Sequence, residues 1–404
     1  MIRLSLLISA VIFLSGCVTG LWSTAQEQWN AVEDLVPGYE HPEDEKKKSG
    51  KAKPSKLFDV EKRINPVKLW SFDVVGDYES VGGGFKPVLS KGVIYVADKN
   101  GLVASVKSDS GQMIWKIDLG LPLGGGVGIG GEQIFVGSSD GDVIALNASN
   151  GAINWQVQTS SEILSAPSGN GDITVVQTQD GRVYGLDAQN GSVRWQHEVE
   201  VPVLSLRGTS NPVVKGNVAV VGFSTGKLYV FSAATGDTIW ENRIGIPQGR
   251  GELERMVDID GDPLLVEDIV YAASHQGRIG AITKTGKALW YQDADTVLGP
   301  ASGEDHVYIV ETNDDIIAID QGSGSVVWTN KYLRHRNLGP PSVAAGYLLV
   351  SDYEGYLHIL SEKDGDFLGR IKVDGSGVSA PLIIDGDTLY ALDNDGALSA
   401  YKFL

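Results

Sequence analysis

Apolar and polar positions alternate along most of the chain in short runs, each broken by Gly, Asn or Asp, and the runs recur with one spacing. Residues 173–195, ITVVQTQDGRVYGLDAQNGSVRW, show the unit. A Val-rich run is followed by Asp180-Gly181, which supplies the φ > 0 positions of a tight hairpin. A second run, 182–187, alternates apolar and polar residues. Asn190-Gly191 then marks another turn, and a short third strand is expected to end on Trp195. Copies at 93–115, 133–155 and 218–240 keep the same fourteen residues from turn Gly to Trp. The copy at 269–290 is one residue shorter, and the copy at 306–328 carries Asp314-Asp315 where Gly is expected. The copy from Tyr347 keeps both turns but has Gly369 in place of the Trp.

An eighth copy, 387–403, stops before its Trp strand, while an orphan Trp strand, VKLWSF at 67–72, precedes the first full copy. The two chain ends can therefore complete one sheet. Pro87, Pro167, Pro212, Pro263, Pro300, Pro340 and Pro381 each precede a repeat in a segment of small residues, with Val127 in a glycine-rich counterpart. Small residues suit a fourth, innermost strand crowded around an axis, and Pro is tolerated at a strand start. Eight units of about 43 residues predict an all-β fold: a closed eight-bladed β-propeller of four-stranded antiparallel blades.

The charge pattern narrows the function. A net charge of −18 without a Lys/Arg cluster in the repeats argues against nucleic acid. Residues 1–16 have the shape of a secretory signal: Arg3, an apolar run, then Ser15-Gly16 before Cys17. Leu14-Ser-Gly-Cys17 resembles the bacterial lipobox, which implies cleavage and lipidation at Cys17. Val18 follows in place of the Asp that resembles an inner-membrane retention signal, so an outer-membrane anchor facing the periplasm is expected. Cys17 is the only cysteine, and an internal disulfide is impossible. Residues 17–56 show no strand pattern and include the charged run HPEDEKKKSGKAKPSK. They are expected to form a flexible tether with a reach of about 35 Å, followed by the propeller at 57–404.

The A-L-D-A-x-N-G-x-x-x-W pattern resembles the tryptophan-docking repeats of quinoprotein propellers, which implies a pyrroloquinoline quinone (PQQ) oxidoreductase as one reading. The chain lacks the vicinal cysteines of that group. Its six His show no metal-ligand spacing and are expected on the surface or in loops. Asp258-Ile-Asp260-Gly-Asp262 fails the spacing of a Ca²⁺ loop, and Gly126–Gly131 contains G-x-G-x-x-G where a strand, not a helix, follows. No cofactor, metal or catalytic residue is expected. A propeller that binds envelope polysaccharide is a third reading.

The informative stretches are connections. From the Trp to the Pro of the next unit the usual gap is 10 to 12 residues, but the neighbours Trp195 to Pro212 and Trp240 to Pro263 take 17 and 23, and Trp70 to Pro87 also takes 17. Like connections leave a propeller on one face, so the two neighbours should form a ridge, and long loops on a rigid scaffold are common binding sites. The first carries Leu204, Leu206 and Arg207, the second Asp258 and Asp260. VPVLSLRG (201–208) and RMVDID (255–260) are similar to matching segments of the BamB family of outer-membrane lipoproteins. That resemblance extends from Cys17 over all eight units. It implies a non-enzymatic scaffold that docks to the periplasmic POTRA domains of BamA through Leu204, Leu206, Arg207, Asp258 and Asp260, with unfolded barrel clients as further candidate partners. On this expectation Leu204 and Leu206 insert into the partner, Arg207 pairs with a carboxylate, and the two Asp either lie at the rim or hold Arg207. Arg278, remote in sequence from both loops, is expected to take no part.

Overall fold

The computed structural model describes residues 53–76, 84–202, 204–206, 208–251 and 253–403. They form eight four-stranded antiparallel sheets. In the third blade the order across the sheet is Ser168–Gly169, Ile173–Gln177, Arg182–Asp187 and Val193–Glu198. The first strands of adjacent blades touch one another, which places them around the axis. The second and third strands are buried along most of their length, because neighbouring blades cover both of their faces.

The outermost strand differs from the sequence expectation. It does not end on Trp195 but runs three residues further, to Glu198. Gly185 faces Trp195 and Leu186 faces Val193, so Arg194 is an extra, bulged residue. The same bulge precedes Trp115, Trp155, Trp240, Trp290, Trp328 and Trp70. A bulge re-aims the side chain beside it, and here each indole enters the gap between blades. Trp195 Nε1 donates to Ala233 O at 2.7 Å, and its ring covers Gly236, where a Cβ would lie 2.6 Å from the indole. That glycine also has φ 75°, so the turn and the ring both require it. Seven such docks run from blade to blade, and the one at Trp70 reaches Ser108 O in the first blade.

The ring closes as expected. Val67–Asp73 pairs antiparallel with Ala397–Lys402 as the outermost strand of the eighth blade. This closure explains Gly369. A docking Trp needs the turn between the third and outermost strands of the next blade, and in the eighth blade that turn is replaced by the two chain ends. The seventh blade therefore uses a strap made by residues 54–66. Arg63 N and Ile64 N both donate to Leu368 O at 2.9 Å, and a Cβ on Gly369 would lie 2.1 Å from Ile64 O. Further along the strap, Ser55 N donates to Arg334 O, and Phe58 packs edge-on against Tyr332 and Phe367.

Beneath the strap lies a buried charged network, which corrects the expectation that every His is superficial. His358 is fully buried. Its Nε2 lies 3.0 Å from Asp352 Oδ2, and its Nδ1 accepts from Arg370 Nε at 3.0 Å. Burial lowers the His358 pKa against the opposing pull of Asp352, so the ring is neutral. Arg336 reaches Asp352 at 2.8 Å and Ser55 O at 3.1 Å, and Arg370 Nη1 donates to Phe58 O at 2.7 Å.

Candidate partner-docking ridge

The two long connections leave from the face that carries the turns between second and third strands. Val199 N donates to Gly181 O, and Ile244 N and Gly245 N donate to Gly226 O. They then meet. Leu206 N donates to Asp258 Oδ2, and Asn211 N donates to Asp262 Oδ1 at 2.8 Å. The expected ridge is therefore present, built from the connections that follow Val193–Glu198 and Thr238–Arg243.

Its residues are placed unequally. Leu204 is 40% exposed and Leu206 is half-buried. Arg207, like Cys17, lies outside the described residues. Asp258 is fully buried, which corrects a rim position: it holds the first loop by accepting from Leu206 N, while its main-chain O accepts from His275 N at 2.8 Å. Met256, Val257 and Ile259 are buried beside it, so this segment is tucked onto the blade. The close approach is local: a Cβ on Gly222 would lie 2.5 Å from the Ile259 side chain. Burial pushes the Asp258 carboxyl up to about 6, opposed by the Leu206 hydrogen bond. Burial, and then the neighbouring Asp258, push Asp260 up to about 7. One carboxylate oxygen of each, Asp258 Oδ1 and Asp260 Oδ2, is buried without a hydrogen-bond partner among the described residues.

Residues not singled out from the sequence complete the face. Ile246 and Leu253 are exposed, Leu253 at 69%, on the second loop, where 253–255 form a single 3₁₀ turn. For Leu253 the available signal was an apolar residue inside the polar run GRGELER. Arg278 is not remote. Its guanidinium stacks 3.7 Å from the Tyr291 ring centroid and donates to Ile244 O at 3.0 Å and Arg243 O at 2.9 Å, so it fastens the base of the second loop. A cavity of about 600 Å³ opens between the loops, with Val201, Leu204, Tyr229, Arg243, Arg255 and Val257 in its lining.

Residues 84–86, ahead of the first full blade, lie against the inner strand of the second blade. Lys86 N donates to Gly126 O, and a Cβ on Gly84 would lie 2.3 Å from Leu164 O. Lys86 Nζ reaches Asp262 Oδ2 at 2.9 Å, joining the first and fifth blades. The residues do not fit a stacked quinone: every described Trp is committed to a blade dock, and the chain's one Cys rules out a vicinal pair. Among the described residues no group of three His, Cys, Asp or Glu is placed to hold a metal.

Comparison with known proteins agrees with this geometry. Residues 99–330 match the family model described as outer membrane protein assembly factor BamB. The chain is 44% identical to the BamB of Pseudomonas aeruginosa over 349 residues, covering 86% of this chain and 92% of that one. It is 33% identical to the BamB of Escherichia coli over 392 residues, 94% of each. The crystal structure of BamB from Moraxella catarrhalis superposes with a TM-score of 0.76 at 28% identity, over 84% of this chain and all of that one. A quinohemoprotein alcohol dehydrogenase from Comamonas testosteroni, at 14% identity and a TM-score of 0.62 over 84% of this chain and 76% of that one, shares the fold alone.

Proposed function

The chain belongs to the BamB family of outer membrane protein assembly factors, and from that premise we propose that it is a non-enzymatic scaffold that docks to the periplasmic POTRA domains of BamA. Cys17 carries the lipid that anchors it to the outer membrane on the periplasmic side, the residues from 17 up to the strap at 54 serve as tether, and the propeller presents the ridge. Leu204 and Leu206 are the apolar anchors, and Arg207 pairs with a carboxylate of BamA.

The observation that carries this reading is the clasp between the loops. A flexible loop loses conformational entropy on binding, and Leu206 is already held through its N–H by the buried Asp258. Asp258 therefore acts by positioning the anchor loop, not by meeting the partner.

The test is binding of the detergent-solubilised full chain to the periplasmic portion of BamA by calorimetry. Truncation of a central anchor typically costs about 2 kcal/mol, roughly thirtyfold in affinity. Leu206→Ala and Arg207→Ala should each lose that much or more while the circular dichroism spectrum is unchanged. Lys284→Ala, which removes an exposed ion pair with Asp268 on the opposite face, is the control and should bind normally. Wild-type affinity in both loop variants would remove the ridge from the docking surface.

A further inference from the structure

The cavity between the loops is left unused by docking through Leu204 and Leu206 alone. Its volume of about 600 Å³ lies within the ~300–1,000 Å³ range of ligand pockets. Val199, Val201 and Pro202 wall it from the first loop, and Pro247 and Val257 from the second. The charges on its lining divide into engaged and free. Lys227 pairs with Glu241 at 3.1 Å, and Glu198 with Arg182 at 3.3 Å. Arg255 is exposed at the end of the 3₁₀ turn and has no ion pair or side-chain hydrogen bond among the described residues. The Arg243 guanidinium makes one hydrogen bond, to Thr225 O at 3.3 Å. Glu200 is the opposing free charge. A chain of net charge −18 thus gathers beside an apolar wall one guanidinium without an ion pair, Arg255, and a second, Arg243, held by a single long hydrogen bond to a main-chain carbonyl.

We infer that this cavity is a second docking subsite, which takes an apolar side chain flanked by a carboxylate from the partner bound on the ridge. The apolar group fills the space between Val201, Pro202 and Val257, and the carboxylate pairs with Arg255 and Arg243. A guanidinium fork matches a carboxylate in geometry, and closure of the partner over the cavity removes the water that screens the pair. The inference rests on the ridge being the docking face.

The experiment separates the two. Arg255→Glu and Arg243→Gln are compared with Leu206→Ala for binding of the full chain to the periplasmic portion of BamA, at low and high salt. A parallel set uses BamA variants in which surface Asp and Glu are reversed to Lys one at a time. Both arginine variants should melt like wild type, since neither guanidinium is buried. Arg255→Glu should weaken binding about tenfold or more at low salt, with a smaller loss at high salt, and one BamA reversal should restore most of it. If Leu206→Ala loses affinity and both arginine variants bind like wild type, the subsite is overturned and the ridge stands. If Leu206→Ala also binds like wild type, both fall. A loss in Arg255→Glu that no BamA reversal repairs overturns the carboxylate pairing.

Discussion

In the proposed docking, Asp258 serves the interface without reaching it. Its carboxyl is fully buried and holds the Leu206 N–H, yet its second oxygen has no partner among the described residues. The folded-state pKa, about 6, stands above the ordinary carboxylate value of 3.8. Below the ordinary value both states are protonated. As pH rises from there through 6, the unfolded chain releases the proton first, so stability falls with increasing pH. The full penalty, on the order of 3 kcal/mol for a shift of about two units, is present at neutral pH. Asp258→Asn keeps an oxygen for Leu206 N–H and removes the charge. It should raise stability toward urea at pH 7.5 and leave it nearly unchanged at pH 4, with BamA binding retained. A destabilised Asn variant at pH 7.5 would show that the ionised carboxylate is stabilised by something outside the clasp. Asp258→Ala, lacking the acceptor, should instead lose affinity by freeing the anchor loop.

At the level of strands, the strap on the seventh blade is the local rule broken for a reason. Its backbone occupies the space where a side chain at position 369 would stand. Gly369→Trp should restore the repeat on paper and damage the protein, by evicting Ile64 and exposing residues 54–66 to protease. Limited proteolysis followed by mass determination checks this, and a variant as resistant as wild type would refute it. The blades themselves were legible because hairpins demand Gly, Asn or Asp at φ > 0 and because Trp recurs opposite a fixed position. The strap was not. Residues 54–66 have no periodicity, and their partners Arg334, Arg336 and Leu368 are distant in sequence. The same limit applies at the ridge, where loop lengths disclosed its place but not its interior. The two carboxylates of 255–260 suggest an exposed segment, whereas Met256, Val257 and Ile259 draw Asp258 inward with them. The grip of Arg278 on the second loop depends on main-chain carbonyls, which no side-chain pattern reveals.

For the molecule as a whole, stability is shared around a ring with one seam. Deleting residues 57–72 would remove most of the strap and nearly all of the outermost strand of the eighth blade. It would take away the Trp70 dock and expose the edge formed by Ala397–Lys402. Urea unfolding should then begin at much lower denaturant and lose its single cooperative transition, whereas an unaltered curve would show that the seam is dispensable. The seam also has a meaning in time. The hydroxyls of Ser71 and Ser399 lie 2.8 Å apart although 328 positions separate them. A polypeptide made from its amino end carries its closing strand long before there is anything for it to close upon. Contacts this distant in sequence form late and slowly, so the other blades can assemble while the last stays incomplete. A chain cut short anywhere before its final strand is left as an open arc with bare edges, visible to proteases, and the architecture thereby distinguishes finished copies from unfinished ones.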